Sequence, residues 1–251
     1  MNSERYSKQS FLPQLGEDGQ EILNDASVLV IGAGGLGTTL LYDLACAGVG
    51  TIGIADHEIV RITNLNNQFI HFEDDIGSLK VSSASRKLRQ FNSMINVIPH
   101  ATAVNKDNVI EIISQYDIVA LAIEDTQTMM LVNEACVELN KPFVVSGING
   151  FAGTIMFVQP HETPCLSCLY GTDMPPEENN GAIGSVVSTI SSMEATAVIQ
   201  YLLGLPVPAS GKLFYYDACK GTLDATPIDL KEDCPVCGKD ADDDAYFEEA
   251  D

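Results

Sequence analysis

The sequence predicts an α/β fold: a Rossmann-like, mostly parallel sheet with helices on both faces, plus a C-terminal β-rich segment and a four-cysteine zinc site. Three observations carry this. Short apolar runs alternate with helix-periodic stretches as far as Gly147. The first run, Val28–Ile31, leads straight into a glycine turn. After Ser146 the pattern changes to β-rich segments and two CxxC pairs.

In chain order, residues 4–26 are polar with scattered apolar anchors (Phe11, Leu12, Leu15, Ile22), and Glu17–Leu23 suits a short helix. Four consecutive apolar residues from Val28 read as a fully buried strand. The glycines Gly32, Gly34, Gly35 and Gly37 follow, then Leu36, Leu40, Leu41, Leu44 and Ala45 at helical spacing. Thr51–Ala55 is the next strand and ends at Asp56. Lys80–Phe91 is helical, with Ala84, Leu88 and Phe91 on one face; 96–104 reads as a strand and 106–115 as a helix. Residues 117–123 form another buried strand, 126–139 a helix and 143–147 a strand. Ligands on such sheets lie beyond the C-terminal strand ends, where Gly32, Asp56, Glu124 and Gly147 fall. Gly153–Pro160 is β-rich, Ser185–Leu203 a long apolar-faced helix, and 212–216 with 222–230 a candidate hairpin. The organisation is an N-terminal arm over 1–26, one domain over 27–238, and an acidic tail over 239–251.

Composition narrows the function. With 35 acidic against 13 basic residues, the net charge of −22 repels nucleic acid and anionic membrane surfaces. The tail after Gly238 carries seven of the acids and reads as a solvated end. The N-terminus lacks an apolar signal core and no run approaches the roughly 20 apolar residues of a membrane span, so a cytoplasmic protein is expected. Of seven cysteines, Cys46 and Cys136 sit in apolar runs and read as small buried hydrophobes.

Strand, glycine turn, helix, and an acid 19 residues beyond Gly37 form the layout of a nucleotide site. The glycines let backbone N–H groups approach phosphate at a helix N-terminus, and Asp56 accepts hydrogen bonds from ribose. Cys165-Leu-Ser-Cys168 and Cys234-Pro-Val-Cys237 are separated by 65 residues. Each pair can present two thiolates to one tetrahedral zinc, closing a structural site with no open position for chemistry. A redox dithiol is the rival; against it, there are two pairs, and neither opens a helix after a strand.

Taken jointly, RYSKQ (5–9), GAGGLG (32–37), the AD ending in Asp56, ITNLNNQ (62–68), GSLK (77–80) and the two CxxC pairs resemble the ThiF/MoeB/HesA family, bacterial relatives of ubiquitin-activating enzymes. The similarity spans about residues 4–238. It implies ATP-dependent adenylation of the C-terminal glycine of a ubiquitin-like sulfur-carrier protein, with Mg2+, a homodimer and a structural Zn2+. Lys80 matches the family lysine on the phosphates and attacking carboxylate, and Asn64 the asparagine of the phosphate region. The resemblance carries Arg5 and Lys8 to the partner subunit's site, Lys8 where the family has an arginine finger. Lys keeps the charge but loses the planar fork. A family phosphate-binding Arg is Asn67 here, and the family's magnesium-binding aspartate falls on Glu124 or Asp125. No cysteine lies between Cys168 and Cys219, so a covalent carrier bond near Glu177 is not expected. Two other readings stay open: a degenerate relative that binds nucleotide and partner with little chemistry, and a nicotinamide-dependent oxidoreductase, which leaves GSLK and the CxxC pairs unexplained. Within the first reading, a peptide precursor can replace the carrier.

Overall fold

The computed structural model describes residues 3–172, 174 and 181–238. The tail 239–251 and the loop position near Glu177 lie outside the described residues. The described strands form one eight-stranded sheet in the order β3-β2-β1-β4-β5-β6-β7-β8. β1 (Ser27–Ile31) stands between β2 (Thr51–Ala55) and β4 (Ile118–Leu121), with β3 (Asn96–His100) outside β2 and β5 (Phe143–Asn149) outside β4. These five strands are parallel. β6 (Ala152–Val158), β7 (Lys212–Asp217) and β8 (Thr222–Pro227) continue the sheet antiparallel, and β7–β8 is the expected hairpin.

Alternation along β1 divides the core. Val28 and Val30 face one side, under α3 (Gly35–Ala47), α4 (Lys80–Phe91) and α8 (Gly184–Leu202). Leu29 and Ile31 face the other, under α5 (Val109–Ser114), α6 (Thr126–Glu138) and α7 (Leu166–Tyr170). Covered on both faces, a strand must be apolar throughout, and each such Val, Leu or Ile contributes about 1.5–3 kcal/mol of burial. The chain runs outward through β2 and β3, then returns to place β4 on the other side of β1. This reversal opens a crevice beyond the carboxyl ends of β1 and β4.

Several elements differ from the sequence reading. The arm contains α1 (Ser3–Ser10) as well as α2 (Gly16–Asp25). α1 holds by one aromatic and by hydrogen bonds instead of an apolar stripe. Tyr6 is buried and accepts from Asn92 Nδ2 at 2.9 Å, and Gln9 Nε2 donates to the Ala47 carbonyl at the end of α3 at 2.7 Å. The strand expected over 96–104 ends at His100, because the Asn105 and Asn108 side chains bind nearby backbone N–H groups and build a turn that delays α5 to Val109. Cys136 is fully buried, but Cys46 is exposed: it falls on the outward face of α3. The Cys165–Cys168 pair does open a helix, the short α7.

Candidate active site

The crevice is a cavity of about 1240 Å³. Its first wall is the glycine turn. Gly32 has φ +103°, and a Cβ there would lie 2.3 Å from the Ala122 carbonyl oxygen of the segment after β4. Gly34 and Gly35 line the cavity at the start of α3, where helical N–H groups lack intrahelical partners. Gly37, expected to bind cofactor, is absent from the wall: a Cβ there would lie 2.1 Å from the Gly32 carbonyl oxygen, so it keeps α3 close to the turn.

Asp56 directly follows β2 and lines the cavity, its carboxylate accepting from Ala33 N at 2.8 Å and from Glu58 N at 2.7 Å. It braces the turn while keeping acceptor capacity for a sugar hydroxyl. Lys80 opens α4 and is 3% exposed, its ammonium bonded to Glu58 at 2.5 Å. That hydrogen bond holds the Glu58 carboxyl below its ordinary value. Among the described residues lining the cavity, Lys80 is the only Lys or Arg, and it shares the wall with the acids Asp56, Glu58, Glu124 and Asp125. Asp125 also caps α6, accepting from Thr128 N at 2.8 Å.

Asn64 and Asn67 line the same wall; Asn64 Oδ1 accepts from Arg61 N at 2.8 Å, and a Cβ on Gly35 would lie 3.3 Å from Asn67 Nδ2. A neutral carboxamide therefore stands beside the glycine turn. Arg5 and Lys8 do not line this chain's own cavity. Both are exposed on α1, where Arg5 donates to the Phe91 carbonyl at 2.6 Å and covers the Phe91 ring.

Away from the cavity mouth, Cys165, Cys168, Cys234 and Cys237 are all buried, with sulfurs within 4.8 Å of one another. The pairs Cys165–Cys234 and Cys168–Cys237 stand 3.7 and 3.4 Å apart. Tetrahedral zinc with Zn–S about 2.3 Å sets sulfurs about 3.8 Å apart, so the four thiols fit such an ion. A hydrogen bond from Cys237 lowers the Cys165 thiol to about 5.

Sequence reasoning missed several residues at the site. Glu58 has no signal beyond standing two residues after Asp56. Gln68 lies inside the ITNLNNQ stretch, lines the cavity, and has a buried Oε1 without a protein partner among the described residues. His71 and Glu194 are polar residues within apolar runs, a pattern that could have flagged them. Glu194 is fully buried on α8 and accepts from Ser146 Oγ at 2.6 Å, beneath the cavity floor.

Comparison with known proteins agrees with this geometry. The sulfur carrier protein adenylyltransferase of Thermus thermophilus is 35% identical over 246 residues, covering 94% of this chain and 90% of that protein. The adenylyltransferase and sulfurtransferase MOCS3 of Xenopus laevis is 36% identical over 239 residues, covering 93% of this chain but 53% of that protein. The chain thus spans about half the length of its MOCS3 relatives. A crystal structure of E. coli MccB with MccA-N7isoASN superposes with a TM-score of 0.84 at 23% identity, over 95% of this chain and 77% of that one. A second, of E. coli MccB with ATP, gives 0.82 at 24% over 94% and 75%; at these identities the likeness shows the fold. A model of the ThiF family matches residues 6–236, and the chain belongs to that family.

Proposed function

We propose that the chain adenylates the C-terminal carboxylate of a ubiquitin-like sulfur carrier or a peptide. A carboxylate oxygen bonds to the α-phosphorus of ATP, the bond from that phosphorus to the bridging oxygen breaks, and pyrophosphate leaves with the electron pair. One observation carries this reading. A single cavity joins the glycine turn and Lys80 to the ends of β5 and β6 at Gly147 and Gly153, leaving room for nucleotide and an extended chain terminus together. The relatives named adenylyltransferases support it.

In this reading Gly32, Gly34 and Gly35 admit the phosphates, Asp56 takes the ribose, and Lys80 offsets charge growing on the α-phosphate in the transition state. Asn64 and Asn67 donate to phosphate oxygens from their carboxamides. Glu124 and Asp125 supply the oxygen donors suited to Mg2+. Arg5 and Lys8 lie outside the chain's own cavity and act on a partner's in a homodimer. Exposed Ile62, Phe69 and Phe72, on the loop between β2 and α4, offer apolar surface for that contact. No residue from 169 to 218 is a cysteine, so transfer needs no thioester on that segment. Zn2+ on the four thiols would act structurally.

ATP–pyrophosphate exchange with Mg2+ and candidate carriers or peptides tests the reading. Lys80→Ala is expected to lower exchange by about 10²–10³, the usual cost of removing one charge-stabilising group. Exchange unchanged in Lys80→Ala removes Lys80 from the chemistry. The degenerate-relative reading has one observation in its favour, the neutral Asn67 beside the glycine turn; ATP binding without any exchange would select it.

A further inference from the structure

His71 is 2% exposed and lies outside the cavity wall, yet it touches the glycine turn. Its Nε2 stands 2.9 Å from the Ala33 carbonyl oxygen and its Nδ1 2.9 Å from Ser83 Oγ on α4. A carbonyl oxygen only accepts, so Nε2 carries the proton. Ser83 Oγ in turn accepts from Lys87 Nζ at 3.0 Å and also hydrogen-bonds the Asp75 carboxylate. Lys87 is fixed by a buried ion pair with Asp75, itself tied to the Phe72 N–H at 2.8 Å. Burial lowers the pKa of the ring from its ordinary value and favours the neutral form, whose one ring proton serves the Ala33 carbonyl.

The consequence lies at Ala33. Its N–H is gripped by Asp56 and its carbonyl by His71, so both peptide planes flanking it are clamped by side chains from separate segments. In a trans peptide the C=O and the following N–H point in opposite directions, and the described chain contains no cis bond. The His71 grip on the Ala33 carbonyl therefore turns the Gly34 N–H away from His71, and Gly34 lines the cavity.

We propose that His71 is a positioning residue for phosphate binding: with its Nε2 proton on the Ala33 carbonyl and its ring held beside Ser83, it locks the Ala33–Gly34 peptide so that the Gly34 N–H meets a nucleotide phosphate. This rests on the glycine turn being the nucleotide site.

Two isosteres separate positioning from packing. In His71→Gln the amide nitrogen falls near the Nε2 position and can still donate to the Ala33 carbonyl. In His71→Asn the shorter amide reaches only the Nδ1 position and leaves that carbonyl ungripped. In calorimetric titration of the full chain with ATP and Mg2+, His71→Asn is expected to raise Kd about tenfold and His71→Gln less than threefold, with similar losses in Tm. Equal effects of both on Kd, or none, overturn the proposal. Should the variants fail to fold, nitrogen-15 spectra of histidine-labelled wild type decide: a protonated Nε2 and bare Nδ1 at His71 are expected, and the opposite tautomer overturns it. Wild type that does not bind ATP refutes the nucleotide reading itself, a separate outcome.

Discussion

Replacing Glu194 by Gln should change how stability depends on pH. Glu194 is fully buried on α8, with one hydrogen bond, from Ser146, and an Oε1 that has no partner among the described residues. No ion pair among the described residues involves it. Burial pushes its carboxyl up to about 8, against an ordinary 4.5, and the Ser146 hydrogen bond offsets only part of this. The folded chain thus keeps a proton that the unfolded chain releases near 4.5. Stability from this group is complete below 4.5 and declines as pH climbs toward 8. The slope is at most ~1.4 kcal/mol per pH unit, and the whole window amounts to about 4–5 kcal/mol. Gln has nearly the same shape, can hydrogen-bond Ser146, and does not titrate. Urea unfolding of both proteins at pH 5, 6, 7 and 8 measures the difference, in which the other titrating groups cancel. The variant should gain on wild type with each step in pH, by several kcal/mol in total. Parallel stability curves across that range would refute the buried neutral acid.

Four other outcomes are expected. The purified chain should carry one zinc, and stripping it with a chelator should lower Tm and loosen residues 234–238; metal-free protein with an unchanged Tm discards the four-thiol site. Asp75→Asn strands the buried Lys87 ammonium and should cost about 3 kcal/mol or more in chemical denaturation; a loss under 1 kcal/mol would show that the pair carries little. Gly37→Ala should weaken ATP binding although Gly37 does not line the cavity, because its methyl would displace the Gly32 carbonyl; unchanged affinity in isothermal titration counts against that packing. In native protein a thiol reagent should label Cys46 and Cys219 but not Cys136; rapid labelling of Cys136 contradicts its burial.

Continuous apolar runs and period-3.6 stretches located the parallel half of the sheet closely, because strands covered on both faces are apolar throughout, as in Val28–Ile31. Glycine spacing and Asp56 likewise marked one wall of the cavity, since the close backbone approaches at Gly32 and Gly37 restrict residue type. What stayed hidden depends on contacts distant in sequence. α1 is polar and its anchors, Asn92 and the Ala47 carbonyl, lie far along the chain. Asn105 and Asn108 override the helical pattern of 106–115 through side-chain bonds to backbone. The pairing of Lys80 with Glu58 follows from the antiparallel bridge between Ile59 and Leu79, which no local pattern announces. Cys46 misled because an apolar helix still has one outward-facing row.

The central place of β1 bears on the order in which a growing chain acquires its binding crevice. A nascent chain that has emerged as far as Glu58 already holds the glycine turn, β2 and the Asp56 brace. The opposite wall arrives only with β4, whose Ile118–Leu121 must travel back to pair with Val28–Ile31. Such long-range parallel closure is slow compared with helix formation. During synthesis, therefore, one side of β1 stays open until more than sixty further residues have left the ribosome, and a chain stalled in that interval exposes an unpaired apolar edge to chaperones.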